Sequence, residues 1–398
     1  MSDNMTYIDK LKRNLILYRI SWFFTSLLFF MPIWYAFETQ FADGATLAAL
    51  YATTYLISVF LELPTGALAD LFGRKIIVTI GYLIGGASFI FISQAKDISW
   101  LWIGYIISQI AATFVSGANI ALYYDTLKEL KRESDFSKLL GENELVYRVG
   151  IILSTIIGGY VFLYSKNMPY ILVGISTMLA GAAIFFMVEP HIDSEKFTLQ
   201  NYIRQTKLGF AQLWKTKYIR DFSLYYISIG GITWYFLYFL LNVFMTDSKF
   251  DPISRGWLSA INSLLVAVVA LVITKRKLLT KPMTYLFFPI LMLLGFIPAP
   301  FVPKIGAAIC LFFSYLVGIT RFTFLDQYTN AEFESKYRAT AISALNMSIS
   351  FVYFFLTFAL NPVLSKFGSG WVMFSLGVIT LLTTLPTAFT LLRNHANH

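Results

Sequence analysis

Twelve long apolar runs constrain this chain more than any motif it carries. They fall at about 14–37, 45–65, 75–94, 99–124, 142–164, 168–188, 220–245, 255–274, 282–302, 304–326, 338–360 and 369–392. About 20 helical residues cross a bilayer core of about 30 Å. Lipid offers no partner to an open backbone N–H or C=O, so each run is expected to be helical. The ninth and tenth runs are nearly continuous through Pro298, Pro300 and Pro303, where a tight turn is expected. Only 13% of the 398 residues are charged and 57% are hydrophobic, against roughly 25% charged in a soluble domain. An all-α integral membrane protein is therefore expected.

The same runs remove several function classes. Cys310 is the lone cysteine and lies in a run, which leaves no disulfide and no Cys-based metal site. His191, His395 and His398 all lie outside the runs, so no Ser-His-acid or metal-ligand cluster is expected, and the chain does not read as an enzyme. A G-x-x-x-x-G-K-[ST] loop is absent, which argues against ATP-driven chemistry. No cofactor and no metal are expected.

A net charge of +9 raises the question of nucleic acid. Its distribution answers otherwise. With both termini placed in the cytoplasm, 22 of the 31 Lys and Arg fall in internal loops and tails. Only Lys96, Lys166, Lys249, Arg255, Lys304 and Lys366 fall outside, and Arg19, Arg148 and Arg321 lie within runs. That asymmetry sets the orientation by the positive-inside rule, and the surplus adds attraction to anionic lipid. A multi-pass protein of the cell (inner) membrane follows, with the bilayer as partner and no nucleic acid. The first run is too long for a cleaved signal peptide and lacks a small-residue cleavage site.

The runs group into a tail (1–13), a six-span half (14–188), a linker (189–219), a second six-span half (220–393) and a short tail (394–398). In the linker, Leu199, Tyr202, Ile203, Thr206, Phe210, Leu213 and Trp214 recur at helical spacing, with Arg204, Lys207, Lys215 and Lys217 mostly elsewhere. This reads as a basic amphipathic helix on the cytoplasmic leaflet, a tether or a binding surface. A weak internal repeat supports two equivalent halves. Gly117 precedes Asp125 by eight residues at the end of run 4, as Gly318 precedes Asp326 at the end of run 10.

Between runs 2 and 3 lies a charged hinge, Gly66-Ala-Leu-Ala-Asp-Leu-Phe-Gly-Arg-Lys75. Gly66 allows close helix packing, Gly73 allows a sharp turn, and Asp70 places a carboxylate at the membrane edge. Twelve spans, a long loop after the sixth and this decapeptide together resemble the major facilitator superfamily over essentially the whole chain. Gly66, Leu68, Ala69, Asp70, Gly73, Arg74 and Lys75 match its loop motif, whereas Leu71 stands where a basic residue is common. Glu62-Leu-Pro-Thr65 and Tyr124-Asp125 look similar to bacterial members grouped with drug exporters. The loop Thr274 to Pro282 keeps only a basic character.

The resemblance implies two six-helix bundles related by a pseudo-two-fold axis. It implies that Asp70 faces the start of span 11, near Tyr337-Arg338-Ala339-Thr340, able to pair with Arg338, and that Arg74 pairs with Asp125. Such contacts form a cytoplasmic latch that favours the outward-open state. Spans 1, 4, 7 and 10 would line a central cavity, flanked by 2, 5, 8 and 11.

Polar stripes at helical spacing mark inward faces. Span 2 carries Tyr51, Tyr55, Ser58, Glu62 and Thr65; span 11 carries Ser343, Asn346, Ser350, Tyr353 and Thr357. Span 4 offers Gln109 and Asn119, and span 7 offers Tyr226, Gly230, Trp234, Tyr238 and Asn242. Candidate cargo contacts are Arg19, Gln109, Asn119, Tyr226, Trp234, Tyr238, Asn242, Arg321 and Asn346. Arg19, Glu62, Arg148 and Arg321 lie at similar depth within their spans, where charges pair or line a wet cavity. Three readings stay open for them: a cytoplasmic gate, snorkelling, or capture of anionic cargo. Arg19 and Glu62 are a candidate pair. Glu62 also reads as the only carboxylate in the apolar part of a span. That makes it the proton-coupling candidate, unless it is a permanent partner of Arg19.

Direction is argued by exclusion. Gly150, Gly158 and Gly159 match half of the G-x-x-x-G-P-x-x-G-G pattern of exporters, with Ser154 and Thr155 in place of Gly-Pro. Sugar-porter and peptide-symporter segments are absent. The expected function is secondary active export of small amphipathic molecules by proton exchange through alternating access, by a monomer. The alternatives are proton-coupled uptake of a metabolite, or a non-transporting membrane sensor of the same fold.

Overall fold

The computed structural model describes residues 6–191, 199–333 and 338–396, and among them every regular element is helical. In chain order these are α1 (Tyr7–Thr25), α2 (Trp34–Glu38), α3 (Gly44–Phe72), α4 (Arg74–Ser93), α5 (Ile98–Val115), α6 (Ala118–Glu129), α7 (Phe136–Tyr164), α8 (Met168–Phe185) and α9 (Leu199–Leu213). There follow α10 (Lys217–Tyr235), α11 (Leu241–Asp247), α12 (Pro252–Arg276), α13 (Lys281–Phe296), α14 (Lys304–Glu332), α15 (Arg338–Phe367), α16 (Ser369–Ile379) and α17 (Leu385–Ala396). Eleven stretches among the described residues are long and apolar enough to cross a membrane.

The first run is the exception. It is not one helix over 14–37: α1 stops at Thr25, turns occupy the chain to Ile33, and α2 is a five-residue helix. Pro32 explains part of the break, because it lacks an N–H and pushes Met31 out of helical geometry. Ser26 helps to close α1, its hydroxyl donating to the Phe23 carbonyl at 2.5 Å. Run 4 is likewise broken. Gly117 adopts φ +66°, a conformation that side chains resist, and separates α5 from α6. Five-residue π-turns interrupt run 7 at Phe236–Leu240 and run 12 at Thr380–Thr384. The proline-rich turn after run 9 forms as expected, with one 3₁₀ turn at Ala299–Phe301.

The hinge after run 2 is shorter than expected. Helix α3 continues through Phe72 and α4 starts at Arg74, so Gly73, at φ +90°, is the whole joint.

The chain forms two compact units. The first comprises Met1–Phe41, Ile57–Thr198 and Pro252–Ala260; the second comprises Ala42–Leu56, Leu199–Asp251 and Ile261–His398. These differ from the expected halves in two places. The opening stretch of α3 belongs with the second unit, and the opening stretch of α12 belongs with the first.

In the first unit α4 and α8 pack backbone to backbone. A Cβ at Gly86 would fall 2.5 Å from the Gly174 carbonyl oxygen, and one at Gly174 would fall 2.7 Å from that of Gly86. A buried core of Tyr18, Val78, Tyr82, Leu122, Tyr123 and Ile184 fills the end nearer the N-terminus. The half-motif in α7 acquires a packing role here. Gly150 lies against the Ser26 hydroxyl, Gly158 against the Phe29 carbonyl and Gly159 against the Pro252 carbonyl. Three missing side chains thus seat the broken first run and the start of α12. In the second unit α10 meets α15 through Gly230 and Gly231, which lie against Ile349 and Val352. The linker helix α9 forms and packs on α15, where Gly209 meets the Thr340 backbone.

Candidate functional site

The joint at Gly73 places two charges to advantage. Arg74 forms an ion pair with Asp125 of α6, both side chains mostly buried. That is the pairing the resemblance implies. A third partner was not read from the sequence. Glu189, just beyond α8, accepts the Arg74 N–H through Oε1 and the Lys75 N–H through Oε2, each at 2.8 Å. Its carboxylate therefore caps α4 at the positive end of the helix dipole. Close by, Glu129 accepts from the Tyr7 hydroxyl at 2.9 Å and from the His191 N–H at 3.1 Å. Burial and that carboxylate push the Tyr7 phenol up to about 12, so it stays protonated as a donor.

The second unit repeats this arrangement with different residues. Lys281, opening α13, pairs with Glu332, closing α14, as Arg74 pairs with Asp125. Tyr218, near the start of α10, donates to Glu332 at 3.1 Å, much as Tyr7 at the start of α1 donates to Glu129. The side chain of Asp326, the expected counterpart of Asp125, lies outside the described residues. Helix α14 runs on to Glu332, which holds the basic partner. The basic character kept after run 8 is the Lys281 side of this pair.

Other expected members of the latch fall differently. Helix α3 runs through Glu62, Gly66 and Asp70, but their side chains lie outside the described residues. Tyr337 lies outside them too, and Arg338 is the first residue of α15. With the side chain of its expected partner Glu62 outside the described residues, Arg19 is bound by Glu142 at 2.8 Å and by the Asn143 amide oxygen at 3.1 Å. The physical reason is α7, which begins at Phe136 rather than at 142 and so brings Glu142 alongside α1 as helix. Arg148 pairs with Glu144, one turn back on the same helix, at 2.9 Å.

An aromatic box in the second unit unites several cargo candidates. The Arg321 guanidinium, fully buried on α14, lies over the Trp234 ring at 5.5 Å. Tyr55 of α3 meets Trp234 edge-on at 5.5 Å, Tyr353 of α15 edge-on at 5.6 Å and Tyr238 at 5.7 Å. Trp234 and Tyr238 meet edge-on at 5.7 Å. Tyr238 sits within the π-turn, whose extra residue breaks the four-residue stripe of run 7 and re-aims this ring. It is also the exposed member, with 47% of its surface accessible. The Trp234 indole N–H is buried and has no hydrogen-bond partner among the described residues. A box of this kind offers ring faces to planar apolar groups, a cation to electron-rich or anionic ones, and one N–H donor.

The remaining candidates do not join it. Gln109 is half-buried on α5, and Asn119 on α6 donates to the Tyr82 hydroxyl at 3.1 Å in the first unit. Tyr226 and Asn242 are buried in the second unit, whereas Asn346 is exposed. Tyr55 and Tyr353 were visible as members of polar stripes, yet nothing in the sequence joined them to Trp234. Among the described residues no His, Cys, Asp and Glu cluster could hold a metal ion.

A buried carboxylate also lies outside the expected runs. Glu38, the last residue of α2, is fully buried and accepts hydrogen bonds from Tyr105 of α5 and from Tyr170 of α8, the latter at 2.7 Å. It sits one residue past the expected limit of run 1, which is why it was passed over.

A sequence model described as Major Facilitator Superfamily matches residues 15–356. Multidrug resistance protein 2 of Bacillus subtilis (strain 168) is 26% identical over 250 residues, covering 60% of this chain and 59% of that protein. The bicyclomycin resistance protein homolog of Haemophilus influenzae is 24% identical over 177 residues, 44% of this chain and 43% of that one. The chain thus spans about half the length of the curated relatives it matches. Among solved structures, a mutant of the nucleoside transporter NupG superposes with a TM-score of 0.77 at 15% identity, over 94% of this chain and 98% of that one.

Proposed function

The chain belongs to the major facilitator superfamily, and we propose that it is a secondary active transporter that exports small amphipathic molecules in exchange for protons by alternating access. The observation that carries this reading is the Arg321–Trp234 box with its exposed edge at Tyr238. Aromatic faces accept many flat apolar shapes, which suits a transporter of varied amphiphiles better than a site of hydrogen-bond donors would. Relatives named for multidrug and bicyclomycin resistance favour export over uptake. In this reading the protein lies in the cell membrane with both termini in the cytoplasm, as the Lys and Arg distribution favours. Gly66, Asp70, Gly73, Arg74, Asp125 and Arg338 serve as its cytoplasmic latch, and Glu62 is a candidate for proton coupling.

The test begins with purified protein and a panel of neutral, cationic and anionic amphiphiles, scored by the rise in unfolding temperature that a ligand of the folded state produces. Trp234→Ala removes the stacking face and is expected to weaken the best ligand by about 2 kcal/mol, roughly 30-fold in Kd. Equal affinity for wild type and variant would take the box out of the binding site. The same ligand, labelled, is then followed in proteoliposomes under an imposed pH gradient. Movement against proton flow supports exchange; movement along it replaces export by uptake; binding without movement leaves a sensor.

A further inference from the structure

We propose that the outer face of α9 is a binding surface for the anionic phospholipid headgroups of the adjoining leaflet. Such binding is independent of the direction and coupling of transport.

Helix α9 is not a span, yet two points hold it at the edge of the membrane. A Cβ at Gly209 would fall 2.4 Å from the Thr340 carbonyl oxygen, and Thr340 opens the apolar stretch Thr340–Phe367. At the far end of α9, residues 214–216 alone separate Leu213 from Lys217, where the stretch Lys217–Asp247 begins. That link reaches at most about 14 Å. The helix therefore lies along the boundary between spans and water.

Its two faces differ. Successive residues turn by about 100° around a helix, so Thr206, Gly209, Phe210 and Leu213 share the inner face, where Gly209 and Leu213 are buried. Ile203, Lys207, Ala211 and Trp214 line one outer strip. Arg204, Leu208 and Lys215 line the strip beside it, and all of these outer residues are exposed. Ile203, Leu208 and Trp214 leave 46%, 38% and 56% of their surfaces open. Among spans such side chains face acyl chains. At the boundary, the zone between acyl chains and headgroups covers them, and Trp is enriched there.

Charge selects the lipid. Residues 199–220 hold Arg204, Lys207, Lys215, Lys217 and Arg220, and no acid. Arg204 and Lys215 also make contacts within the protein, and Arg220 pairs with Asp221. Lys207 and Lys217, both exposed, are the cations assigned to the headgroups. An ammonium at this level is drawn to anionic lipid and gains little from a zwitterionic one. A soluble acidic partner would match the charge, but not apolar side chains set at the height where the spans begin.

The lone cysteine, Cys310, is buried, so Ala211→Cys takes a fluorescent label alone, in the middle of the outer face. The labelled protein is reconstituted in an equal mixture of phosphatidylcholine and phosphatidylglycerol, with bromine on the acyl chains of one lipid or the other. Bromine quenches at contact range and reports which lipid lies beside α9. Quenching by brominated phosphatidylglycerol is expected to dominate. With Lys207→Gln and Lys217→Gln together, the anionic lipid is expected to lose roughly 30-fold in preference, so that the two quenchers draw level. The unfolding temperature in lipid-free detergent should stay near that of the parent, because both lysines are exposed. Equal quenching in the parent would overturn the proposal, as would a preference that survives in the double variant. Quenching by neither lipid would overturn it too and give the face to water or a soluble partner.

Discussion

Gly158→Val is expected to destabilise the protein severely, with a large fall in unfolding temperature in detergent and a loss of monodisperse material. An ideal Cβ at Gly158 lies 2.0 Å from the Phe29 carbonyl oxygen and 2.9 Å from its carbonyl carbon. These are backbone atoms of the turn that interrupts the first run, so no side-chain rotation relieves the clash. Overpacking typically costs 1–3 kcal/mol, and a clash this deep with backbone is expected to exceed that, at roughly 3 kcal/mol or more. Gly141 supplies the control on the same helix. A Cβ there meets nothing within 4 Å, so Gly141→Ala is expected to be neutral, or to stabilise by up to about 1 kcal/mol through helix propensity. Unfolding midpoints of the two variants that fell together would remove the packing argument for α7.

Asp125→Ala comes second. It leaves the Arg74 guanidinium, whose side chain is 20% exposed, without its carboxylate. Removing one partner of a buried pair costs about 3–5 kcal/mol, and the residual exposure puts the expectation near the lower figure. Arg74→Ala in addition should recover part of that loss, because the stranded charge goes with it. A double-mutant cycle is expected to give a coupling of about 1–3 kcal/mol. Strict additivity of the two single variants would show that the pair contributes nothing. The counterpart in the second unit, Lys281 with Glu332, should behave alike. Each pair ties the first residue of one long helix to the closing residues of another, which makes both of them clasps within a unit.

Most of the fold was legible because membrane helices announce themselves by length and apolarity. Eleven of the twelve runs are matched by stretches long and apolar enough to cross a membrane. The exceptions turn on single residues whose effect depends on neighbours. Pro32 was passed over inside the first run, and the seat of the break is made by Gly150 and Gly158, over a hundred residues on. Gly117 looked like one glycine among 24 until its φ of +66° was known. The Arg74–Asp125 pair followed from the family motif, whereas Glu189 and Glu332 carry no motif and act only through where their helices end. Glu38 escaped notice because hydropathy cannot tell an acid at the rim of a span from one folded inward between two tyrosines. The aromatic box was half visible. Stripes on spans 2, 7 and 11 held its members, and only packing brought Tyr55, Trp234 and Tyr353 together.

The traded stretches of α3 and α12 bear on how the molecule is made. Residues 252–260 complete the first unit, although they are synthesised after the whole linker. During translation, then, the leading unit stays unfinished until the ribosome is well into the second, and residues 42–56 wait longer still, until Tyr353 has been made. Polypeptides cut at the linker and produced separately would each carry a vacancy that only the other fills. Folding of this chain is therefore expected to be a joint event rather than two in succession.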